Sequence, residues 1–366
     1  MLHVYRQVVG LKGVAPVVLT FKRENSGRFP FDAVRFVHRS PLRWLRRIWS
    51  VQIRKIPSRA YPGEVRSIQT LLAEDHCKLL HIYFGNNGLF WLPLLQRCPV
   101  PAVVSFHGAD VRVNVDSPVA RRLFLELFAS CTLVLARSES LASSLLDLGC
   151  APAKLRIQHA GIPLDAFRYM PRRRPADGAW RLLQACRLIA KKGLESTIRA
   201  FATFSKEYPN AALTIAGDGP LRGTLKDLAT RLRLDGRIYF TGFVSQPALL
   251  ELYRESHLFL HPSEQTPTGD REGIPNSLLE AMATGLPCIT TRHGGIPEAV
   301  THLESGILVR ESDLKGLEDW LKRLARDDEL RDSLGIRAAR MIAEKFDLTT
   351  QIEKLEEIYL SLSEHH

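Results

Sequence analysis

The sequence predicts an α/β protein built from two doubly wound domains. Its 366 residues exceed the usual size of one domain and suit two. Short apolar or β-branched runs alternate with longer helical patterns along most of the chain, as in parallel sheets covered by helices. A polar segment rich in turn-forming residues, 171–178, divides the chain as a linker would. The predicted division is a first domain over 1–170, a linker over 171–178, a second domain over 179–346 and a C-terminal helix over 347–366.

Each half contains a series of short segments with strand character. In the first half these are residues 17–20, 79–84, 102–106 and 133–136. In the second half they are residues 181–186, 212–216, 238–240, 258–260 and 288–290. The first half opens with a helical pattern from Leu2 to Leu11, whereas a doubly wound domain normally opens with a strand and a glycine-bearing turn. We therefore expect the first domain to lack its first strand.

Composition excludes several classes of protein. With 45% hydrophobic and 24% charged residues, the chain is neither disordered, collagen-like nor a coiled coil. No apolar run approaches the length of a membrane span, and the first residues lack a secretory pattern, so a cytoplasmic protein is expected. The six cysteines form no C-x-x-C pair, which indicates reduced thiols rather than disulfides or a thiolate zinc site.

The net charge of +11 comes from the start of the chain, because residues 1–60 hold 13 Lys and Arg against 2 Asp and Glu. Residues 43–55 mix these basic residues with tryptophans at roughly helical spacing. Such a segment suits an anionic membrane surface, and the alternative is a solvated basic helix whose tryptophans are in the core. No zinc-finger, helix-turn-helix or RNA-recognition pattern accompanies the charge, so no nucleic-acid partner is expected.

The most specific segment runs from Glu272 to Gly285. It predicts a helix with Asn276 as N-cap and Gly285 as its C-terminal stop, so that Glu272 precedes the helix and Glu280 lies on it. Free amides near Ser277 would face an anion. Eight residues of helix span about 12 Å, more than the roughly 5–9.5 Å between the carboxylates of a glycosidase. We expect the two glutamates to contact different parts of one long ligand.

Two further elements favour a diphosphate ligand. Arg187 and Lys192 follow strand 181–186 and could bind a phosphoryl pair, although a basic pair after a strand is also common in solvated loops. The turn His293-Gly294-Gly295 opens a helix and offers backbone amides. No D-x-D and no histidine pair at metal-ligand spacing occur, so no metal is required if these groups neutralise the diphosphate.

A glycine-rich segment, Gly217 to Gly223, superficially resembles a dinucleotide fingerprint. Arg222 replaces its third glycine and the segment does not open the domain, so a nicotinamide site is not expected. The segment instead predicts a strand-to-helix turn lining the cleft.

In the first half, His107 follows strand 102–106 and is placed to face a ligand, since ligands of such sheets bind beyond the carboxyl ends of the strands. The alternative is a structural histidine. Further candidates on the same rim are His81, Asn86 and Asn87 of the segment Gly85–Gly88, and Asp110.

These motifs, taken together, resemble retaining glycosyltransferases of family 4, which have the two-domain GT-B fold. The resemblance rests on an E-x7-E motif at Glu272 and Glu280 and on a set of shorter motifs in the same order. These are R-L-x-x-x-K-G at 187–193, GDGP at 217–220, HPSE at 261–264, GGIPE at 294–298 and ESGILV at 304–309.

The resemblance implies two Rossmann-like domains facing a central cleft, which close to exclude water. It implies that Arg187 and Lys192 bind the diphosphate of a UDP- or GDP-sugar, Glu280 the ribose and Glu272 the transferred sugar. Further donor-binding residues would be Gly219, Val244, Gly273, Ile274, Asn276 and Ser277. His107 would contact the donor sugar, with Glu272 the second catalytic residue, and His81, Asn86, Asn87 and Asp110 would lie on the acceptor side. The leaving diphosphate would assist the attacking hydroxyl on the same face, without a covalent intermediate, metal or cofactor.

The first-half segments HIYFGNNG, SFHGADV, ARSESL and HAGIPLDAF resemble members that build exopolysaccharide or lipopolysaccharide. Those members use lipid-linked saccharide acceptors, which implies a protein at the inner face of the plasma membrane. Family members place a strand and a glycine loop before the first helix, so either the recorded start is late or this chain lacks the element. The missing element makes an inactive scaffold protein one alternative function. A second alternative, independent of the start of the chain, is a GT-B nucleotide-sugar epimerase.

Overall fold

The computed structural model describes residues 2–24, 26–38, 58–108, 118–266 and 272–364. Asp110 and the basic segment 43–55 lie outside these residues. The chain divides into two compact units: an N-terminal unit of Met1–Gly161 with Thr349–His366, and a C-terminal unit of Ile162–Leu348. Among the described helices, none is both long enough and apolar enough to cross a bilayer.

The described residues of the N-terminal unit form two parallel sheets. Its helices are α1 (Leu2–Gly10), α2 (Pro62–Glu74), α3 (Gly85–Phe90), α4 (Leu92–Leu95), α5 (Pro118–Ser130) and α6 (Glu139–Asp147). Its strands are β1 (Val18–Thr20), β2 (Val34–Phe36), β3 (Leu80–Tyr83), β4 (Ala102–Phe106), β5 (Leu133–Ala136) and β6 (Leu155–Ile157). Strands β1 and β2 pair with each other, and the larger sheet has the order β3-β4-β5-β6. Asn86 and Asn87, predicted in a loop, lie in the first turn of α3, because Gly85 packs on the Phe106 ring and lets the helix start directly after β3.

The C-terminal unit is built around one six-stranded parallel sheet. Its strands are β7 (Arg181–Ala185), β8 (Ala212–Ala216), β9 (Ile238–Gly242), β10 (Leu258–His261), β11 (Cys288–Thr291) and β12 (Ile307–Val309). Its helices are α7 (Leu194–Glu207), α8 (Arg222–Arg231), α9 (Gln246–Glu255), α10 (Asn276–Ala283), α11 (Ile296–Ala299), α12 (Leu314–Arg326) and α13 (Asp328–Lys345). The strand order β12-β11-β10-β7-β8-β9 is that of a Rossmann fold. The predicted α/β class with parallel sheets is confirmed.

Alternation along the central strands buries both faces of this sheet. Leu182 and Leu258 point into a cluster with Trp180, whereas Leu183 and Phe259 point into a second cluster on the opposite face. The last helix, α14 (Leu348–Glu364), covers the N-terminal sheet, where its Leu355 and Tyr359 pack on Val103, Leu133 and Leu135.

The boundary between the units lies before the predicted linker. Ile162 donates its N–H to Phe346 O at 2.7 Å, and Leu348 N–H donates back to Ile162 O at 3.0 Å, so residues from 162 onward belong to the C-terminal unit. Within the predicted linker, the Arg172 side chain is buried and donates to Arg254 O at 2.6 Å and Thr284 Oγ1 at 3.0 Å. The segment 171–178 therefore packs against this unit at Arg172.

Candidate functional site

The strand order of the C-terminal sheet reverses between β7 and β10. The chain leaves β7 toward β8 on one side and leaves β10 toward β11 on the other, so the loops after these two strands diverge and leave a crevice. Ligands of open parallel sheets bind in such a crevice, beyond the carboxyl ends of the strands. The segments that follow β7 and β10 are the ones that contain Arg187, Lys192 and the HPSE motif.

Hydrogen bonds to backbone carbonyls fix the conformation of the loop after β7. Lys192 ends a 3-10 turn, Ala190–Lys192, and its carbonyl accepts a hydrogen bond from Gln184 Nε2 at 2.7 Å. Glu264 N–H donates to Lys191 O at 3.0 Å and ties this loop to the segment after β10. Gly193 follows with φ +59°, and a Cβ there would lie 1.8 Å from Pro262 O. Only glycine allows this approach.

The glycine-rich segment Gly217–Gly223 forms the predicted strand-to-helix turn, since β8 ends at Ala216 and α8 begins at Arg222. It lies directly against the loop after β7, where Leu188 N–H donates to Asp218 O at 3.0 Å. A Cβ on Gly219 would lie 2.6 Å from Leu188 O. The close approach of the Leu188 backbone thus accounts for a glycine at position 219.

Glu272 and Lys192 form an ion pair between Oε2 and Nζ, although 80 positions separate them in sequence. Both side chains are mostly buried, with exposed fractions of 13% and 9%. Arg187, by contrast, is exposed. The loop after β7 therefore presents one exposed guanidinium and one buried, paired ammonium.

Helix α10 begins at Asn276 with Pro275 as its N-cap, so the prediction of Asn276 as N-cap is wrong by one residue. Pro275 has the extended backbone of a cap, and Leu278 and Leu279 donate to its carbonyl. The predicted stop at Gly285 is confirmed: it has φ +74°, and the N–H groups of Gly285 and Leu286 donate to Met282 O and Ala281 O, the Schellman pattern. Three other predicted donor residues, Gly273, Ile274 and Ser277, lie partly exposed around this helix start.

Glu280 is 5% exposed and faces α9. Its Oε2 accepts a hydrogen bond from Tyr253 Oη and its Oε1 one from Gln246 Nε2, each at 3.2 Å. Val244, just before α9, is partly buried. The two glutamates of the E-x7-E motif thus have different partners, Lys192 for the first and α9 for the second.

In the N-terminal unit, His107 follows β4 and sits among aromatic side chains. Its Nδ1 lies 3.1 Å from His3 Nε2, its Nε2 lies 3.1 Å from Ser105 Oγ, and the Phe84 ring centroid is 4.4 Å from its own. Burial, with a smaller contribution from the Arg137 guanidinium, lowers the pKa of His107 well below its ordinary value. His107 is therefore neutral at pH 7. His3 was not predicted, because a single histidine in a terminal helix carries no sequence signal.

The side chains of His81 and Asn87 form hydrogen bonds with residues of the N-terminal unit. His81 Nδ1 pairs with Tyr359 Oη, its ring stacks on Tyr83 at 4.0 Å between centroids, and burial lowers its pKa to about 3. Asn87 Nδ2 donates to Tyr83 O at 2.8 Å, and Asn86 is exposed.

Comparison with known proteins matches both units to families. Residues 6–166 match Glycosyltransferase Family 4, and residues 167–341 match Glycosyl transferases group 1. The N-acetyl-alpha-D-glucosaminyl L-malate synthase of Bacillus anthracis is 31% identical over 314 residues, which cover 82% of this chain and 80% of that protein. The chain belongs to glycosyltransferase family 4.

A second similar sequence and a solved structure add to this comparison. The amylovoran biosynthesis glycosyltransferase AmsK of Erwinia amylovora is 32% identical over 249 residues, 68% of this chain and 61% of AmsK. The chain thus spans less than two thirds of AmsK. The crystal structure of HepE from Anabaena in complex with UDP superposes with a TM-score of 0.77 at 18% identity, covering 99% of this chain and 96% of HepE. This likeness confirms the GT-B fold that the motifs predicted.

Proposed function

We propose that this family 4 protein transfers a hexose from a nucleotide-diphosphate sugar to a saccharide acceptor with retention of configuration. The observation that carries the proposal is the mostly buried pair Lys192–Glu272, whose lysine lies in the loop after β7 that also contains the exposed Arg187. An ammonium and a planar guanidinium in the loop at the switch point of a Rossmann-order sheet suit a diphosphate. A carboxylate beside them suits sugar hydroxyls.

Each group has one task in this scheme. Arg187 and Lys192 stabilise the negative charge that develops on the leaving diphosphate, so the scheme uses no metal or cofactor. Glu280, whose oxygens already accept bonds from Gln246 and Tyr253, binds the ribose hydroxyls. Glu272 accepts hydrogen bonds from the hydroxyls of the transferred sugar. His107 is the second proposed catalytic residue, and its neutral ring can stabilise positive charge at the anomeric carbon.

Two similar proteins support the proposed donor class and the proposed role. Crystals of HepE hold UDP and, in a second form, UDP-glucose, which supports a UDP-sugar, with a GDP-sugar as the other candidate. AmsK is named for amylovoran biosynthesis, which supports a role in exopolysaccharide assembly. We propose a lipid-linked saccharide as acceptor and a site of action at the cytoplasmic face of the membrane.

Arg187→Ala tests the diphosphate site. Loss of one charge-assisted hydrogen-bond partner costs about 1.5–3 kcal/mol, so the affinity for UDP should fall about 10–100-fold in calorimetric titration. Arg199→Ala is the matched control, because Arg199 is an exposed arginine of the same unit paired only with Glu195 on its own helix among the described residues. UDP affinity that is unchanged in Arg187→Ala, or a wild-type protein that binds neither UDP nor GDP, would contradict the proposed function.

A further inference from the structure

Two consecutive hydrogen bonds connect the backbone of Glu272 to Glu311 through the ring of His293. Glu272 N–H donates to His293 Nε2 at 2.8 Å. The other ring nitrogen, His293 Nδ1, lies 2.8 Å from Glu311 Oε1. His293 follows β11 and Glu311 follows β12, and these two strands are neighbours in the sheet. The position of Glu272 therefore depends on residues at the ends of both strands.

These contacts fix the position of the proton on the imidazole. A backbone amide can only donate, so His293 Nε2 must accept and carry no hydrogen. The proton of the neutral ring is then on Nδ1, where it is donated to the Glu311 carboxylate. A histidine whose tautomer is set by a carboxylate is a rigid acceptor for its partner. His293 Nε2 is therefore an acceptor of fixed orientation for the N–H of Glu272.

The carbonyl of Glu272 is held from the same turn. Gly295 N–H donates to Glu272 O at 3.4 Å, and Gly294, with φ +56°, lets the two backbones meet, because a Cβ there would lie 1.9 Å from that oxygen. The turn His293–Gly295 thus contacts both the N–H and the C=O of Glu272.

Glu311 also anchors the segment after β10. Its Oε2 accepts from Gln265 N–H at 2.7 Å, while its Oε1 binds His293. One carboxylate therefore joins the backbone of Gln265 to the ring that holds Glu272.

We propose that His293 and Glu311 are positioning residues for the Glu272 carboxylate. The inference rests on the proposed function, in which Glu272 binds the transferred sugar. Glu272 is fixed at the side chain by Lys192 and at the backbone by His293, so its carboxylate has one direction. Removing Glu311 leaves the Nδ1–H of the buried His293 ring without its acceptor, so some loss of stability is expected as well as a change in where Glu272 points. The midpoint of thermal unfolding is therefore measured for each variant, so that loss of fold is separated from loss of positioning.

The first experiment measures the tautomer of His293 without any nucleotide. Two-bond ¹H–¹⁵N spectra of protein labelled at histidine should show His293 protonated on Nδ1, and its signal is assigned by its loss in His293→Gln. In Glu311→Ala the Nδ1–H loses its acceptor, so the ring should turn away from the Glu272 amide, and only then can the Nε2–H form gain population. Glu311→Gln, whose amide oxygen still accepts, should keep the Nδ1–H form. A wild-type ring protonated on Nε2 would overturn the proposal.

The second experiment separates sugar binding from nucleotide binding. Affinities are measured by calorimetry for UDP-glucose, UDP-galactose and GDP-mannose, and each is compared with UDP or GDP alone. In Glu311→Ala the tightest sugar nucleotide should bind about tenfold more weakly while the nucleotide alone stays within about twofold. Glu311→Gln should restore most of the loss. Asp319→Ala, which removes an exposed carboxylate paired with Lys315, is the matched control.

The outcomes distinguish the two proposals. If the wild type binds UDP or GDP and Glu311→Ala weakens the nucleotide and its sugar form equally, positioning of Glu272 is overturned while the proposed function stands. Positioning of Glu272 is also overturned if, in Glu311→Ala, the ratio of the affinity for each sugar nucleotide to that for its parent nucleotide is the same as in the wild type. If the wild type binds no nucleotide at all, the proposed function fails, and the role of His293 and Glu311 toward a sugar fails with it.

Discussion

Glu272→Ala is expected to lower the rate of sugar transfer about 10³-fold, the scale seen when one preorganised group that stabilises a transition state is removed. The substitution removes the proposed acceptor of the sugar hydroxyls. It also leaves Lys192 as a mostly buried ammonium without its carboxylate partner. Glu272→Gln should lose less, because the amide oxygen still accepts hydrogen bonds although it no longer balances the ammonium charge.

The measurement is nucleotide release from the best donor, followed alongside the midpoint of thermal unfolding so that loss of fold is separated from loss of chemistry. Glu344→Ala is the matched control, because Glu344 is an exposed glutamate on α13 of the same unit. Activity of Glu272→Ala within about tenfold of wild type, with the control unchanged, would show that Glu272 is not part of the catalytic machinery.

Gly193→Ala is expected to have the largest effect on stability among the substitutions considered. A left-handed conformation costs a non-glycine residue about 1–2 kcal/mol, and overpacking against rigid backbone adds about 1–3 kcal/mol. The new Cβ would lie 1.8 Å from Pro262 O, so the loops after β7 and β10 must separate. We expect about 3 kcal/mol of lost stability and weaker UDP binding, since Lys192 directly precedes Gly193.

Gly223→Ala provides the control for this substitution. Gly223 lies in the first turn of α8, has no atom near its missing Cβ and does not have a positive φ. Alanine there should be neutral or stabilise by up to about 1 kcal/mol, because it favours helix and restricts the unfolded chain. Chemical denaturation of both variants gives the two free energies. A Gly193→Ala protein as stable as Gly223→Ala would contradict the close loop contact.

Strand segments were predictable where four or five residues in a row are apolar, with at most one Ser or Thr among them. Residues 102–106, 133–136 and 212–216 were predicted at the bounds that the structure has. Three short strands within the described ranges were missed. Val34–Phe36 and Leu155–Ile157 each carry a central arginine, so they lack a continuous apolar run, and Ile307–Val309 has only three residues.

The candidate site was predictable as a set of residues but not as a set of contacts. The end of strand 181–186 singles out Arg187 and Lys192, because ligands bind where parallel strands end. The E-x7-E motif at the start of a predicted helix singles out Glu272. The Lys192–Glu272 pair could not be predicted, since it depends on how the segments after β7 and β10 meet. The same holds for His293 and Glu311, whose roles follow only from the register of β11 with β12.

A crystal structure of the protein with UDP tests the central claim most directly. The account predicts the diphosphate beyond the carboxyl ends of β7 and β10, with its outer phosphate within hydrogen-bond distance of Arg187 and Lys192 and the ribose at Glu280. A diphosphate bound elsewhere on the chain, with these three side chains contacting no part of the nucleotide, would contradict it.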